Sequence, residues 1–521
     1  MGRLLIFVLF NAILWSLIVP IWHFPDEQAH FGQIAFMVEM GRSPNINDNQ
    51  DLTEEIYISE QLLGTFRDKM GNNKFTFHPE YRIEYSNTLI GKYEASIAAL
   101  ARTTAKKNFV YREATRYPVL YYLPASFLYK LFYNTDLFIR IFIIRFWSVS
   151  LFVMGIFFVY KIGELIFFKD KISTLIMPVL VGFQPMMIFA NVGVNSDALG
   201  NLLFTIFIFF CTKLILTGFK IREVIFLFII TIFSIYTKPQ FIVIIPILLV
   251  LAIFIFIRDF ARKNVIAVFL FLVFITLFFM YLVVKPLRSY TSLVLFFFEN
   301  FNLLSLVKFS WEYTIPHTIR EVLPWYWGIY NWLGVTYPRL VHKVINRIIL
   351  LSLIGFFLSI YKLFKKKMWK DRRVQAVMFL TFISLLYFIA ISFYDWMSWY
   401  MQKYQLGVQG RYFFPLISVH MLLLLLGWKA LFPQKWHLKL WGTLLLGFLM
   451  IFLNLYGLYT VAKTYYDVSS FSTFIIQASQ YKPWFAKGNF LIFWLILCLL
   501  FIIAVFTNLI YVSWRSMTKN K

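Results

Sequence analysis

The chain is poor in charged residues and in cysteine. Only 14% of its 521 residues are Asp, Glu, Lys or Arg, against roughly 25% in soluble domains. A soluble globular protein is excluded, because a compact core could not bury the 60% of residues that are hydrophobic. Cys211 and Cys498 both lie in apolar runs, which excludes a disulfide framework and a cysteine-based metal cluster. A polytopic membrane protein remains.

Acidic residues are also scarce. The chain has 25 Asp and Glu against 50 Lys and Arg, a formal net charge of +25. In a soluble protein this excess would suggest a nucleic-acid partner. In a membrane protein, basic residues collect in the cytoplasmic loops, where they meet anionic lipid headgroups. We therefore expect membrane lipids and no nucleic acid as partners.

Long apolar runs predict an all-α, polytopic integral membrane protein with about 12 transmembrane helices, since a span needs about 20 mostly apolar residues. The run at 4–22 has no small-residue cleavage site after it and is predicted to be a retained first span. The Tyr-rich segment 117–133 predicts an interfacial helix. The predicted spans are 4–22, 137–160, 172–191, 198–219, 223–237, 239–257, 264–284, 341–362, 374–394, 412–431, 438–460 and 489–513.

The distribution of basic residues predicts cytoplasmic N- and C-termini. In that orientation the most basic turn, 365–373, faces the cytoplasm, and the short outer turn at 195–197 has no basic residue. Two long segments then lie outside, a first external loop at 23–136 with interfacial helices and a second at 285–340. No internal repeat is visible, and we expect a single membrane domain over 1–521.

Two adjacent carboxylates, Asp26 and Glu27, follow the first predicted span. Partial burial at a membrane boundary would raise the pKa of such a carboxyl towards that of a general base. Alternatively, the two acids cap the helix that starts after Pro25. A third interpretation is a metal site with His23 and His30, although Pro25 is expected to break the helix that would align them.

Two cations and a polar turn are predicted on the same outer side. Lys238 interrupts an apolar run and Arg411 lies at the outer end of a span. Each is either an ordinary span-ending charge or a phosphate ligand, for which both side chains are suited. Asn195 and Asp197 are either site residues or formers of a short turn.

Five segments, taken in order, resemble the class C glycosyltransferase superfamily. Pro25-Asp26-Glu27-Gln28-Ala29-His30 is similar to the start of the protein O-mannosyltransferases, and still more to a bacterial branch with Pro-Asp-Glu-x-x-His in this place. The chain departs from the bacterial pattern in having Val119 after Pro118, where a second proline is usual. The other four segments are Arg116-Tyr117-Pro118-Val119-Leu120-Tyr121-Tyr122, Asn195-Ser196-Asp197, Thr237-Lys238-Pro239 and Gln409-Gly410-Arg411-Tyr412-Phe413-Phe414-Pro415.

The resemblance implies a transferase of a bacterial cell membrane that uses a polyprenyl-phosphate-linked sugar donor on the outer face. A hexosyl or pentosyl group would pass, with inversion, to a hydroxyl of a glycan, lipid or protein acceptor. The metal-dependent oligosaccharyltransferase branch has Asp-x-Asp in the first loop. Asp26-Glu27 in its place favours a metal-independent enzyme without a cofactor.

The expected catalytic residues are Asp26, as general base, and Glu27, with Lys238 and Arg411 as ligands of the donor phosphate. Two alternatives stay open at this point, a transporter or flippase for lipid-linked saccharides and a polymerase or ligase of such saccharides. The expected substrate-binding residues are His30, Arg116, Tyr121, Asn195, Asp197 and Gln409.

Overall fold

The computed structural model describes residues 1–44, 48, 52–68, 71–102, 106–107, 117–259, 302–433 and 437–518, and every structural statement below concerns these residues. Helices dominate, which confirms the predicted all-α class. The exceptions are two short antiparallel sheets. In one, Leu52–Thr53 (β1) pairs with Lys106–Lys107 (β2), and in the other Ile329–Tyr330 (β3) pairs with Val335–Thr336 (β4).

The helices fall into long apolar ones and short ones in the connecting segments. In chain order they are α1 (Gly2–Ile18), α2 (Glu27–Met40), α3 (Glu54–Leu63), α4 (Glu94–Ala98), α5 (Tyr122–Leu131), α6 (Leu137–Phe167), α7 (Lys171–Gly182), α8 (Pro185–Asn191), α9 (Asp197–Thr217), α10 (Ile221–Ile235), α11 (Ile244–Asp259), α12 (Leu303–Phe309), α13 (Ile315–His317), α14 (Leu323–Trp327), α15 (Arg339–Lys365), α16 (Arg372–Gln402), α17 (Ile417–Ala430), α18 (Leu438–Tyr465), α19 (Phe471–Ala478) and α20 (Gly488–Thr518). Single 3-10 turns lie at Pro239–Val243, Met368–Lys370, Gly410–Leu416 and Trp484–Ala486, and π-helical turns at Ser310–Thr314 and Thr318–Val322.

Seven helices in the described ranges are long and apolar enough to cross a membrane, or eight if the bent pair α7 and α8 forms one span. This confirms a multi-pass membrane protein, but the count of about 12 spans is not confirmed. The predicted spans 4–22, 223–237 and 239–257 correspond to α1, α10 and α11, which have only 17, 15 and 16 residues. The predicted span 264–284 lies outside the described residues.

Glycines let two of the long helices pack with their backbones almost in contact. A Cβ atom on Gly355 of α15 would lie 2.1 Å from the carbonyl oxygen of Gly427 in α17. A Cβ on Gly427 would lie 1.9 Å from the carbonyl oxygen of Ser352. Such close approach is how helices gain packing energy in lipid, where no hydrophobic effect drives them together.

The short helix α5 lies in the predicted interfacial segment 117–133. It has 10 residues, too few to cross a bilayer. Its buried face packs against α2 and α6 through Tyr122, Ala125 and Tyr129. These contacts place the start of α5 beside α2, whose N-terminal end carries Asp26.

Candidate active site

The turn before α2 presents Asp26 to a distant part of the chain. Asp26 has a φ of +57°, a left-handed conformation that is costly for a residue with a side chain and that recurs at functional sites. Its side chain makes no capping hydrogen bond to α2. Instead, its Oδ2 accepts a hydrogen bond of 2.9 Å from Nη2 of Arg411, 385 residues away. The helix-capping alternative therefore does not describe Asp26.

A second ion pair lies beside the first. Asp197 is the first residue of α9, and its Oδ1 is ion-paired with Nζ of Lys238, which follows α10. Electrostatic interactions link Asp26 and Asp197 to both Lys238 and Arg411 and to His30. We refer to these five side chains as the acid–base cluster. The fold thus brings together five of the predicted site residues from four separate segments.

Tyrosines hold His30 and Lys238 in place. The His30 ring stacks on Tyr117 with 5.3 Å between the ring centroids, and its Nδ1 lies 2.6 Å from the hydroxyl of Tyr122. The Tyr117 ring is also 5.2 Å from Nζ of Lys238. Tyr117 and Tyr122 were not among the predicted site residues. The sequence feature that could have indicated both is the segment 116–122, which contains them together with Tyr121 and resembles the glycosyltransferase superfamily.

Exposure differs sharply within the cluster. The Asp26 side chain is 31% exposed, whereas those of Arg411, Lys238 and Asp197 are 9%, 8% and 14% exposed. The Asp26 carboxylate is therefore the most accessible of these four charged groups, and both cations are largely buried.

The charges of the cluster set the protonation of Asp26 and His30. Burial alone would raise the pKa of the Asp26 carboxyl, but Arg411 and Lys238 outweigh it and hold this pKa below its ordinary value. The expectation of a raised pKa for Asp26 is therefore wrong. Burial lowers the pKa of His30 to about 4, so its ring is neutral at pH 7.

Glu27 points away from the cluster into the protein. Its carboxylate is fully buried and accepts two hydrogen bonds from Arg145, of 2.8 Å to Oε1 and 2.6 Å to Oε2. The backbone N–H groups of Trp22 and Val194 donate to the same two oxygens, at 3.0 and 3.2 Å. With both oxygens occupied, Glu27 stabilises the turn rather than facing a substrate.

Arg145 is a residue that the sequence analysis missed. Its guanidinium also donates to the backbone carbonyls of Ser16, Val19 and Pro20, at 2.8 to 2.9 Å, and so ties the end of α1 to α6. The available signal was an arginine inside the predicted span 137–160, where charges are expensive and seldom unpaired. Arg140 in the same helix is also paired, with Glu55.

The other predicted substrate residues support the cluster or lie away from it. The Asn195 side chain donates to the carbonyl of Pro25 (3.0 Å) and accepts from the N–H of Asp197 (2.8 Å), as a turn former does. Gln409 accepts a hydrogen bond of 3.0 Å from Nε of Arg411. The Tyr121 hydroxyl is buried 2.8 Å from Oγ of Ser148. The remaining candidate, Arg116, lies outside the described residues.

The proposed metal ligands are not assembled. Nδ1 of His23 is 3.0 Å from the carbonyl oxygen of Ile21, and its ring packs edge-on against Tyr465 rather than beside Asp26. In the described parts of the chain, no group of three or more His, Cys, Asp and Glu side chains is placed to hold a metal ion.

Residues 9–419 match the model of a protein family described as "Predicted membrane protein (DUF2142)". The chain belongs to this family. The matched range includes every member of the acid–base cluster, from Asp26 to Arg411. Among curated proteins, none matches the chain.

Two solved structures are similar to this chain over most of its length. One is the archaeal oligosaccharyltransferase AglB from Archaeoglobus fulgidus, in complex with an inhibitory peptide and a dolichol-phosphate (13% identity, TM-score 0.43, 88% of this chain and 56% of that one). The other is ArnT from Cupriavidus metallidurans, bound to undecaprenyl phosphate (14% identity, TM-score 0.42, 85% and 63%). The chain thus spans less than two thirds of the length of either.

Proposed function

We propose that the protein is a glycosyltransferase of a bacterial plasma membrane. It would transfer a sugar from a polyprenyl-phosphate donor to a hydroxyl of a glycan, lipid or protein acceptor. The site would face outwards, with both termini in the cytoplasm. One observation carries the proposal: Asp26, Asp197, Lys238 and Arg411, up to 385 residues apart, converge in one cluster of two acids and two cations.

In this mechanism the cations bind the donor phosphate. Lys238 and Arg411 are each neutralised by a carboxylate, Asp197 and Asp26 respectively. A phosphate that enters the cluster competes with these carboxylates, and the planar fork of Arg411 suits two of its oxygens. Both cations then stabilise the negative charge that grows on the phosphate as the bond to the sugar breaks.

Donor binding would also activate Asp26. When Arg411 turns to the phosphate, Asp26 loses the attraction that depresses its pKa. It also gains a negative neighbour, and both changes raise the pKa of its carboxyl. A weak base thereby becomes a stronger one only when the donor is present.

The proposed reaction is an inverting displacement at the anomeric carbon of the sugar. Asp26 takes the proton of the acceptor hydroxyl while that oxygen forms a bond to the anomeric carbon. The bond between this carbon and the phosphate oxygen breaks on the opposite face, and its electron pair leaves with the polyprenyl phosphate. Because Lys238 and Arg411 supply the positive charge, the mechanism proposed is metal-independent.

A transfer assay in proteoliposomes tests the proposal, with a panel of radiolabelled polyprenyl-phosphate sugars and mixed acceptors. Asp26→Asn should lower the transfer rate about 10²- to 10⁴-fold, the usual value of general base catalysis. Glu80→Gln is the matched control, because Glu80 is a well-exposed acid of the first loop, and it should keep full activity. Near-normal transfer by Asp26→Asn would refute the assignment of the base.

The same vesicles separate the other two functions. Movement of intact labelled donor across the bilayer without transfer would instead establish a transporter or flippase. Successive additions to a glycan that stays lipid-linked would establish a polymerase. We expect single transfer with release of polyprenyl phosphate.

A further inference from the structure

The helical stretch from Leu303 to Trp327 exposes a continuous apolar stripe. We call the five side chains that form it the 304–319 stripe, and they are between 44% and 82% exposed: Leu304, Val307, Trp311, Ile315 and Ile319. Charged side chains lie beside it at Lys308, Glu312 and Arg320, all of them exposed. Such an arrangement, apolar along one face and charged along the next, is typical of a helix that lies in a membrane–water interface.

Two π-helical turns keep the stripe straight. A regular α-helix has 3.6 residues per turn, so side chains four positions apart drift steadily round its axis. The chain takes two wider π turns, at Ser310–Thr314 around Trp311 and at Thr318–Val322 around Ile319. Each wider turn cancels part of this drift, so residues 311, 315 and 319 stay on one side. π-helical turns within α-helices recur at functional sites.

The stretch contacts α16 near the C-terminal end of that helix. The rings of Phe309 and Trp399 lie 5.1 Å apart, and Nε1 of Trp396 donates a hydrogen bond of 3.2 Å to Oγ of Ser305. α16 is a candidate membrane span, and these tryptophans lie near its C-terminal end. Trp and Tyr collect where spans leave the bilayer. The stretch is thus placed where an interfacial helix is expected, beside one end of a candidate span.

The other end of the stretch contacts the segment that carries Arg411. Nε2 of His317 donates a hydrogen bond of 2.8 Å to the carbonyl of Val408. Gly410 packs so tightly that a Cβ atom there would lie 2.2 Å from the backbone nitrogen of Tyr326. The stretch is thus in direct contact with the residues on either side of Gln409, three positions or fewer from Arg411.

We propose that the Leu303–Trp327 stretch is an interfacial helix whose 304–319 stripe lies among the acyl chains of bilayer lipids. Its charged flank would face the headgroups and water, and the lipid surface would set the depth of Arg411. Lipid is favoured over a protein partner by the neighbouring end of α16 and by the charges that border the stripe. This inference goes beyond the transferase proposal and does not depend on it.

Spin-label accessibility in vesicles tests the depth of the stripe directly. In a chain with Cys211 and Cys498 replaced by alanine, single labelled cysteines are placed at Trp311, Ile315 and Ile319. The matched controls are labels on the charged flank, at positions 308, 312 and 320. In phosphatidylethanolamine and phosphatidylglycerol vesicles, the ratio of oxygen to nickel-chelate collisions should be several-fold higher for the stripe than for the flank.

Two results would overturn the inference. Equally low ratios of oxygen to nickel-chelate collisions at all six positions would place the stripe in water. Stripe labels shielded from both reagents, with broadening between labels on different chains, would show contact with a second copy instead. Because the readout needs no turnover, it stands whether or not transfer is detected. A circular-dichroism spectrum of each labelled variant checks that it is folded.

Discussion

Asp26 and Glu27 are neighbours in the chain with opposite environments. Asp26 is 31% exposed and receives a hydrogen bond from one arginine nitrogen. Glu27 is fully buried, and both of its oxygens are bonded to Arg145 and to backbone N–H groups. One carboxylate can exchange partners and the other cannot. In the proposed mechanism this difference in environment makes Asp26 the reacting carboxylate and Glu27 a structural one, a distinction that residue type and sequence position do not make.

The two arginines differ in the same way. Arg145 donates to Glu27 and to three backbone carbonyls. Arg411 donates to two side chains, Asp26 and Gln409. Side-chain partners at a partly open site can move aside for a phosphate, whereas backbone carbonyls that end a helix cannot. Comparable ion pairs thus serve folding in one place and are suited to binding in the other.

The largest expected effect is a loss of stability when Glu27 is replaced by alanine. Glu27→Ala leaves the Arg145 charge buried and unpaired, which costs about 3–5 kcal/mol. Asp26→Ala should cost less, because the Asp26 carboxylate is 31% exposed and the Asp197 carboxylate still interacts with Arg411. Melting in detergent, followed by circular dichroism, measures both. Equal melting temperatures for Glu27→Ala and Asp26→Ala would contradict the proposed contrast between the buried carboxylate of Glu27 and the partly exposed one of Asp26.

The second prediction makes the same substitution at both arginines. Arg411→Lys keeps the charge but loses the fork, so the KM for the donor should rise about tenfold, equivalent to about 1.4 kcal/mol, with little change in melting temperature. Arg145→Lys should instead lower stability by about 2 kcal/mol, because one ammonium cannot satisfy the carboxylate and three carbonyls. A melting-temperature loss at Arg411 as large as that at Arg145 would count against this division.

A further prediction concerns the pH dependence of stability, which depends on the histidine beside each pair. Burial lowers the pKa of both His23 and His30 from 6.5 to about 4. Between those values the unfolded chain binds more protons than the folded one, so stability is full above pH 6.5 and falls as the pH drops towards 4. Melting curves from pH 7.5 to 4.5 should show this slope. It should be shallower in His30→Asn and in His23→Asn, and an unchanged slope in both variants would refute the buried neutral state.

Composition and hydropathy predicted the helical membrane fold because lipid demands long apolar helices. Every predicted span within the described residues overlaps helical chain, although 172–191 is divided between α7 and α8. The lengths of α1, α10 and α11 escaped prediction, since helix ends depend on packing against neighbours. Convergence of Asp26, Asp197, Lys238 and Arg411 could be expected from motif order and topology together.

The sequence could not separate Asp26 from Glu27. Which of two adjacent side chains faces inwards depends on the left-handed turn at Asp26, and this turn is set by contacts with Arg145 and Arg411 from distant helices. The pKa of Asp26 was misjudged for the same reason, because burial was visible in the sequence and the two cations that outweigh it were not assigned to this carboxylate.

The exchange of partners at Arg411 is the central claim, and a structure with bound polyprenyl phosphate tests it most directly. A cryo-electron microscopy map of the protein in nanodiscs with this lipid should show the phosphate within hydrogen-bond distance of both Lys238 and Arg411. The Asp26 carboxylate should have moved away from its present 2.9 Å contact with Nη2 of Arg411. A phosphate bound elsewhere, or bound with that contact intact, would contradict the mechanism.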